Sequence, residues 1–346
     1  MKILLVGEFS GVHTNLKKAL IAKGHTVAIV GKHDGFKKFD SDLNVSPYIG
    51  NTIGKFKNIF YFLLNIKNYI GYDVVQFINP FEIPYYYHFV GLNHLLFKFN
   101  KKIIYYAAGT DPAFLSSDSK LNYFPFSNKN STEHPNYPWY KIVYYNWFIK
   151  KIHLIIPAMY SYSIGYYHLK KCRKHIKLIG TGVYTNVNNT VNNPISILHG
   201  ITRPEFKGSE IITKALRIIK EKYKSKVKIY IVKRLPYSEY ETYLNNVDIM
   251  IDQCKSYDYG MNAILALEKG VVVLSGAEDV AMAYLNVESS AVINIKPSID
   301  EIVAKLEKII QNKNQLSLLK KHSINYVKKY HNPKLIAKEF LDYYTE

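Results

Sequence analysis

Short apolar runs alternate with amphipathic stretches along the chain, and this alternation limits the available folds more than any other feature. The run "KILLVG" (2–7) predicts a first strand, "HTNLKKALIAKG" (13–24) a helix, and "TVAIVG" (26–31) a second strand. Strands separated by helices form parallel sheets, and continuous apolar runs are typical of strands covered on both faces. Further strands of this half are predicted at 72–78, 102–109 and 154–158.

The same alternation restarts after an asparagine-rich segment. "YTNVNNTVNNP" (184–194) has no apolar periodicity and ends in a proline, which is typical of a linker. We therefore expect an α/β protein with two Rossmann-like domains facing across a central cleft, divided as 1–185, 186–330 and a terminal segment 331–346. Beyond the linker, strands are predicted at 195–200, 227–233, 248–253, 270–276 and 291–295, and helices at 209–223, 299–312, 314–330 and 334–344.

Length and composition exclude several classes of protein. A chain of 346 residues with 48% hydrophobic and 21% charged residues suits two folded domains rather than disorder. Cys172 and Cys254 form no CxxC pattern, so a disulfide framework or a structural zinc site is not expected, and a reducing cytoplasm fits. The N-terminal apolar run is too short for a signal peptide, and no run approaches the ~18 residues of a membrane span.

The net positive charge is concentrated in the first half. The whole chain carries a net charge of +19. Residues 1–185 contain 23 lysines and arginines against 9 aspartates and glutamates, a net +14, whereas residues 186–346 contain 23 against 18, a net +5. The first half therefore meets an anionic partner, or this charge only keeps it soluble.

Two turns of the first half are candidate ligand sites. Gly7 and Gly11 would let a ligand approach the backbone where the first helix starts, unless they form an ordinary βα turn. That turn lacks GxGxxG, and no acidic residue ends the second strand, so the pattern gives little support to a dinucleotide site. In "AAGTD" (107–111), Asp111 would hold a sugar hydroxyl, accept a proton, or only cap the turn before Pro112.

Three stretches of the second half are candidates for a ligand site, and the first two predict that it binds an anion. Arg203 and Lys207 in "HGITRPEFKG" would clamp a diphosphate beside a helix start, the alternative being two solvated charges. "YDYGMNAILALEKG" (257–270) starts a helix at Gly260, where backbone N–H groups would bind phosphate oxygens; the alternative is a tightly packed helix. "GVVVLSGAED" brings Glu278 to the next helix start, as a cleft residue or as a helix charge.

G-H-x-V and "GTD" in the first half, with R-x-x-x-K-G and Y-G-x(9)-G following in order in the second, make the sequence similar to the glycosyltransferases of the GT-B fold, most closely their large fourth family. The resemblance covers nearly the whole chain. It implies a nucleotide-sugar donor site in the C-terminal domain, an acceptor site in the N-terminal domain, and a final helix that crosses back to the first domain. It also implies transfer of a hexose, with retention at the sugar carbon and without a cofactor, to a glycan or lipid-linked acceptor of surface polysaccharide or glycoconjugate synthesis.

The resemblance assigns roles to single residues. Arg203 and Lys207 would grip the donor diphosphate, and "KRLPY" (233–237) would border the nucleobase. The turn 260–262 would meet the donor phosphates and sugar. The expected site residues are Asp111, Arg203 and Lys207 for catalysis, Gly208, Arg234, Leu235, Asp258, Gly260, Met261, Asn262 and Glu278 for the donor, and Gly11, His13 and Glu82 for the acceptor.

The chain departs from the family at two positions. Family members carry a glutamate three residues before the helix-start glycine and another five residues after it, where this chain has Tyr257 and Leu265. Leu265 cannot accept a hydrogen bond from a ribose, and Tyr257 cannot act as a carboxylate. The first candidates to replace the missing carboxylates are Asp258, Asn262 and Glu278.

The leaving diphosphate is expected to be neutralised by cations of the protein rather than by a metal ion. Asp248 and Asp252 in "DIMID" are predicted to lie in a buried strand, so no metal-ligand pair is predicted. Fixed charges on Arg203 and Lys207 then supply the stabilisation.

Three stretches of the N-terminal domain, the expected acceptor side, predict a contact with the membrane. Lysines and aromatic residues mix in 53–71, 94–102 and 139–152. Such stretches lie on anionic membrane surfaces, or they are core-facing helices with solvated lysines. We expect a cytoplasmic protein, peripheral on the inner face of the membrane.

Three other functions remain open from the sequence. A non-catalytic sugar-nucleotide-binding protein of the same fold would explain the absent glutamates. A nucleic-acid-binding protein would explain the charge of +19, although the basic residues form no known motif. An NAD-dependent oxidoreductase would need the fingerprint that this chain lacks.

Overall fold

The computed structural model describes residues 1–31, 39, 41–48, 50–185 and 191–346. Its strands are β1 (Lys2–Val6), β2 (Thr26–Val30), β3 (Val74–Phe77), β4 (Lys102–Ala107), β5 (Leu154–Pro157), β6 (Ile195–Ile201), β7 (Val227–Lys233), β8 (Ile249–Ile251), β9 (Val272–Ser275) and β10 (Val292–Asn294). Its helices are α1 (Val12–Ile21), α2 (Thr52–Leu64), α3 (Tyr86–Phe89), α4 (Leu92–Lys98), α5 (Pro112–Leu115), α6 (Trp139–Lys151), α7 (Tyr160–Ser163), α8 (Pro204–Lys207), α9 (Ser209–Tyr223), α10 (Tyr237–Leu244), α11 (Met261–Glu268), α12 (Asp279–Tyr284), α13 (Ile299–Gln311), α14 (Lys313–Tyr330) and α15 (Pro333–Thr345). Short 3₁₀ turns lie at Ile66–Asn68, Pro80–Glu82, Asp118–Lys120 and Lys224–Lys226.

The described strands form two five-stranded parallel sheets with the same strand order. The N-terminal sheet runs β2-β1-β3-β4-β5, and the C-terminal sheet runs β7-β6-β8-β9-β10. In each domain the first strand therefore lies between the second and the third, which is a doubly wound topology with a switch point beside the first strand. Ligands bind at the carboxyl ends of the strands next to such a point. The expected α/β fold with two Rossmann-like domains is confirmed.

The strands are apolar because helices cover both faces of each sheet. Every residue of β3, β5, β6 and β9 is buried. All ten predicted strands form, and they differ from the prediction mainly at their ends. Ala108 and Gly109, for example, were expected in β4 but leave the sheet at its carboxyl end and line a cleft.

The long loop 116–138 reaches from the first domain to the second. The amide N–H of Asn122 donates to Tyr257 Oη at 3.0 Å, and Tyr123 Oη donates to Glu278 Oε1 at 2.8 Å. Of the predicted linker 184–194, residues 186–190 lie outside the described residues. The domain divisions at 185/186 and 330/331 stay predictions.

The last helix packs on the first domain. α15 lies against α1, and the ring of Phe340 meets that of Tyr106 on β4 with centroids 5.0 Å apart. Tyr344 Oη donates to Gln76 Oε1 at 2.8 Å, and Gln76 in turn lies on β3. The crossing of the C-terminal helix back to the N-terminal domain is therefore a packed and hydrogen-bonded contact.

In the part of the chain that the structure describes, every helix is too short or too polar to cross a bilayer.

We expect Phe340→Ala to lower the free energy of unfolding by about 3–5 kcal/mol, because it removes a fully buried ring and leaves a cavity under α15. Urea denaturation measures the change. Leu335→Ala on the same helix is the matched control, since Leu335 is 54% exposed and should change stability by less than about 0.5 kcal/mol. Equal effects of the two substitutions would contradict the packing of α15 described above.

Candidate functional site

A cleft of about 680 Å³ lies between the two sheets and is lined by both domains. Its walls are loops at the carboxyl ends of strands, and the switch points of both sheets open into it. On the N-terminal side these loops contribute Phe9, Ser10, Asn79, Gly109 and Thr110, and on the C-terminal side Thr202, Arg203, Arg234, Asp252 and Gln253.

Lys207 is a buried residue of the C-terminal wall, and its ammonium group donates hydrogen bonds to the protein. Lys207 Nζ donates to the Gly200 carbonyl oxygen at 2.9 Å and to Asp252 Oδ1 at 2.8 Å. Gly208 follows with φ of 73°, and a Cβ there would lie 2.5 Å from Cys254 Sγ. Glycine at 208 therefore permits the close approach to Cys254 that fixes Lys207 in the cleft. Gly208 itself packs against this neighbour and is not among the lining residues.

Asp252 is the carboxylate of the described lining residues, and the sequence assigned it no role in binding. It directly follows β8, is 1% exposed, and accepts hydrogen bonds from Lys207 Nζ and from Asn262 Nδ2, both at 2.8 Å. Burial alone would raise the pKa of Asp252, but the Lys207 ammonium and the Asn262 amide hold it below its usual value. Asp252 is therefore ionised and orients both partners.

The turn at Gly260 presents backbone to the cleft. Gly260, Met261 and Asn262 all line it, as does Leu265 one turn into α11. Gly260 has φ of −109°, and a Cβ there would meet nothing within 4 Å. Neither backbone strain nor packing therefore requires glycine at 260. Any larger residue would project its side chain into the open space of the cleft, and glycine leaves that space free. Such a position suits a ligand that approaches the backbone closely.

Two arginines add positive charge to the C-terminal wall of the cleft. The guanidinium of Arg203 lies over the Phe206 ring, 3.7 Å from its centre, and this cation–π contact keeps it beside the start of α8. Arg234 has φ of 46°, a conformation that L-residues rarely adopt, and its amide N–H donates to the Ile201 carbonyl oxygen. Arg234 and Leu235 line the cleft directly after β7. Together with Lys207 and with Lys141 of the other domain, these cations outnumber the lining carboxylate of Asp252.

Asp111 lies behind the cleft wall rather than in it. It is 1% exposed and accepts hydrogen bonds from the Phe114 amide at 2.7 Å, from Tyr105 Oη at 2.5 Å and from Tyr166 Oη. It is the N-cap of α5, and burial raises its pKa although these hydrogen bonds oppose the rise. The placement favours the capping interpretation of Asp111; its catalytic role stays a prediction, while Gly109 and Thr110 of the same stretch reach the cleft.

The acceptor-side residues support the first βα turn. Gly11 is the N-cap of α1 with φ of 86°, and its N–H donates to Glu8 Oε1 at 2.9 Å. His13 is fully buried; its Nδ1 donates to the Gly7 carbonyl oxygen, its Nε2 faces the Gln76 amide, and burial lowers its pKa to about 4. The Glu82 side chain lies against Gly7. None of Gly11, His13 and Glu82 is among the described lining residues.

Asp258 connects the two domains instead of facing the cleft. Its carboxylate is 1% exposed and accepts hydrogen bonds from the amides of Tyr160 at 3.1 Å and Ser161 at 3.0 Å, and from Ser161 Oγ. Burial raises the pKa of Asp258, and the bonds from Ser161 and Tyr160 counter that rise. Asp258 therefore fixes the start of α7 on the second domain.

Glu278 makes a second contact of this kind. It accepts hydrogen bonds from Tyr123 Oη at 2.8 Å and from Asn294 Nδ2 at 2.6 Å, and it lies outside the cleft lining. A third contact comes from Glu133, whose carboxylate accepts the amide N–H groups of Glu205 and Phe206 beside Arg203. Of the three candidates to replace the missing glutamates, the structure places Asn262 in the cleft and Asp258 and Glu278 at the domain contact.

Sequence reasoning missed two features of the site, of which one carried a partial signal and the other carried none. Asp252 follows a predicted strand in a parallel sheet, which is where ligand-binding side chains are found, but its position in "DIMID" favoured a buried strand residue. Glu133 lies in an irregular loop, and its partners are distant in sequence, so no local pattern indicates them. Among the described residues, no three His, Cys, Asp or Glu side chains are grouped as a metal site.

No family model matches the chain, and no curated protein matches it in sequence. Solved structures do match it in fold. Sucrose-phosphate synthase from Thermosynechococcus elongatus is 14% identical with a TM-score of 0.66, and the match covers 100% of this chain and 98% of that one. HepE of Anabaena, solved in complex with UDP and glucose, is 11% identical with a TM-score of 0.64, covering 100% and 99%.

A third match is the UDP-GlcNAc 2-epimerase of Neisseria meningitidis bound to UDP-GlcNAc, 11% identical with a TM-score of 0.55, covering 99% of both chains. The likeness extends over both domains in each case. The chain therefore has the two-domain GT-B fold.

We expect Asp252→Asn to lower the free energy of unfolding at neutral pH by about 3 kcal/mol, because Lys207 would stay buried without its counter-charge. The folded-state pKa of Asp252 is depressed, so its contribution is present above the unfolded pKa and is lost as pH falls through the folded one. Urea denaturation from neutral pH into the acid range should therefore show the difference between wild type and variant shrinking as pH falls. A double-mutant cycle with Lys207→Met isolates the pair; additive effects would contradict direct coupling.

Proposed function

We propose that the chain is a glycosyltransferase that moves a sugar from a nucleotide-sugar donor bound in the interdomain cleft. The observation that carries this proposal is the cationic wall of Arg203, Lys207 and Arg234 beside the uncovered backbone turn at Gly260. Such a wall suits a diphosphate, and the turn suits a group that approaches the backbone. Support also comes from the fold, which the chain shares with sucrose-phosphate synthase and with HepE, a protein that binds UDP-glucose.

The donor is proposed to be a UDP-sugar lying along the C-terminal wall. Its diphosphate contacts Arg203 and Lys207, and its nucleobase borders the segment 233–237 that contains Arg234 and Leu235. Two donor positions of the Lys207 ammonium are taken by Gly200 and Asp252, so its third N–H remains for a phosphate oxygen. The sugar lies next to the turn that starts α11.

Asn262 is proposed to take over part of the task of the missing glutamates. Its Nδ2 donates a hydrogen bond to Asp252. Because an ionised carboxylate can only accept hydrogen bonds, the NH₂ group of Asn262 must face Asp252, and this fixes the orientation of the amide. Its Oδ1 makes no hydrogen bond to the described residues and is an acceptor for a sugar hydroxyl. Asp252 therefore acts through Lys207 and Asn262 as a positioning residue.

Transfer requires stabilisation of the negative charge that develops on the leaving diphosphate. Arg203 and Lys207 provide it as cations that the protein holds beside the diphosphate, and a bound donor that displaces water from the cleft strengthens these contacts. The proposed reaction needs no metal ion and no cofactor, transfers a hexose, and proceeds with retention, as the sequence resemblance implies. The N-terminal wall, with Asn79, Thr110 and Lys141, receives the acceptor.

The acceptor is proposed to be a glycan or a lipid-linked saccharide in the synthesis of surface polysaccharide or glycoconjugates. This places the protein in the cytoplasm at the inner face of the membrane. The anionic partner predicted from the +14 charge of residues 1–185 would then be the membrane or the acceptor itself.

A 2-epimerase has the same fold, but the cleft does not favour that reaction. Epimerisation moves protons on carbon and needs an acid and a base within reach of the sugar. The described lining residues include no histidine, and their carboxylate, Asp252, is engaged by Lys207 and Asn262. A non-catalytic sugar-nucleotide-binding protein is the remaining alternative.

A thermal-shift screen against a panel of nucleotide sugars tests the donor site, because a bound donor raises the unfolding temperature by mass action. Release of UDP in the presence of candidate acceptors then separates an enzyme from a binding protein. A shift without turnover over the acceptor panel would favour the binding protein, and the absence of any shift would contradict the donor site.

We expect Gly260→Ala to weaken binding of UDP-glucose on the order of tenfold, corresponding to about 1.4 kcal/mol, because its methyl group would project into the donor space. The free energy of unfolding should be unchanged or rise by about 0.4–1 kcal/mol, since alanine suits the backbone conformation at 260. Calorimetric titration and urea denaturation measure the two quantities. Gly50→Ala is the matched control, because Gly50 lies outside the cleft and is equally uncrowded.

We expect Arg203→Ala to lower the turnover rate on the order of 10²-fold, by analogy with the loss of one donor from an oxyanion hole. Arg203 is exposed, so its substitution should cost the fold little, about 0.5–1 kcal/mol for the lost contact with Phe206, and Arg217→Ala on α9 is the control outside the cleft. Lys207→Ala should also abolish most transfer, but it leaves Asp252 buried without its cation. Near-normal turnover of the Arg203 variant would contradict the diphosphate clamp.

A further inference from the structure

Helix α2 (Thr52–Leu64) presents an apolar stripe to solvent. The stripe residues recur three, four or one positions apart and therefore share one face of the helix. They are Ile53, Phe56, Phe60, Leu63 and Leu64, which are 67, 69, 64, 44 and 66% exposed. A contiguous patch of large apolar side chains on a protein surface marks an interaction site rather than ordinary exposure.

A polar residue holds the stripe outward. Asn58, on the opposite face of α2, is 1% exposed. Its Oδ1 accepts the Tyr48 amide N–H at 3.0 Å, and its Nδ2 donates to the Tyr48 carbonyl oxygen and to Tyr86 Oη, both at 3.2 Å. Rolling α2 to bury the stripe would break these bonds and leave buried polar groups unpaired. The helix is therefore fixed with its apolar face to solvent.

The apolar surface continues from α2 to the start of α6. Lys55 Nζ lies 5.9 Å from the Tyr86 ring centre, and the neighbouring Tyr85 stacks on Tyr140 at 4.9 Å. Tyr140 in turn contacts Trp139, the first residue of α6, which is 74% exposed. Tryptophan is enriched at the interface between a membrane and water because its ring is amphipathic.

The segment of sequence that carries the stripe has positive charges only. Residues 43–72 contain Lys55, Lys57 and Lys67 and no aspartate or glutamate. Apolar side chains flanked by lysines match the surface of an anionic bilayer, where the chains enter the interface and the lysines meet lipid phosphates. A second copy of the chain fits less well, because an isologous contact through this face would bring the lysines of both copies together.

We infer that the α2 stripe, with Trp139, docks the protein on an anionic lipid bilayer. The docking face also lies near the acceptor side of the cleft, since Tyr137 and Lys141 line the cleft on either side of Trp139 in sequence. A bound bilayer would therefore deliver a lipid-linked acceptor to the N-terminal wall. This second statement rests on the proposed glycosyltransferase function, whereas the docking itself rests on the surface alone.

Vesicle flotation tests the docking face. The wild type should float with vesicles of phosphatidylglycerol and phosphatidylcholine at low salt, and much less with phosphatidylcholine alone or at high salt, where screening shortens the Debye length to about 3 Å at 1 M. The triple variant Phe56→Ser, Phe60→Ser and Leu64→Ser should lose binding on the order of a thousandfold, since each such side chain contributes about tenfold when it leaves water. The control Leu318→Ser with Leu335→Ser removes apolar side chains 65 and 54% exposed on α14 and α15, and it should bind like the wild type.

The other outcomes overturn the inference. Absence of binding to anionic vesicles at low salt, or equal loss in the triple variant and the control, would exclude this face as the membrane contact. A wild-type dimer in sedimentation that the triple variant converts to a monomer would assign the stripe to a second copy of the chain. The triple variant should still bind UDP-glucose like the wild type; failure of both proteins to bind it would count against the proposed function and leave the docking result standing.

Discussion

The buried carboxylate of Asp258 is the contact on which the geometry of the cleft depends. It belongs to the C-terminal domain, yet its hydrogen-bond donors are the amides of Tyr160 and Ser161 and the Ser161 hydroxyl at the start of α7 in the N-terminal domain. A buried carboxylate is costly unless it is hydrogen-bonded, so the two domains are stabilised in the one arrangement that supplies these donors. The carboxyl ends of the two sheets then face each other across the cleft.

Within that cleft a second carboxylate organises the chemistry. Asp252 is ionised, and it determines where the Lys207 ammonium lies and which way the Asn262 amide points. A lysine that binds a diphosphate must be fixed in position by its partners, but a carboxylate partner also neutralises its charge. The net charge of the wall beside Lys207 stays positive, because Arg203 and Arg234 add two positive charges to the pair formed by Lys207 and Asp252.

The N-terminal domain divides its apolar residues between a core and a surface. The core of this domain is rich in buried aromatic rings such as Phe62, Tyr87 and Phe148. α2 contributes Phe62 to that core and packs the half-buried Ile59 against it, whereas the side chains of the stripe point to solvent and Asn58 occupies the inward face. An amphipathic helix of ordinary type would reverse this arrangement. The same domain carries most of the net positive charge, +14 of the +19, and this charge together with the exposed stripe suits a membrane contact.

The sequence by itself determined the two α/β domains, all ten strands and the order of the cationic and glycine-containing turns, because apolar periodicity and turn residues are local properties. It placed Arg203, Lys207, Arg234 and the turn from Gly260 in one second-domain site, and the structure lines one cleft with them. Only the tertiary structure decided which carboxylates face that cleft and which connect the domains. Asp252, Asp258 and Glu278 look alike in sequence, and their partners lie from 10 to 155 residues away, so burial and hydrogen bonding across the folded chain assign them.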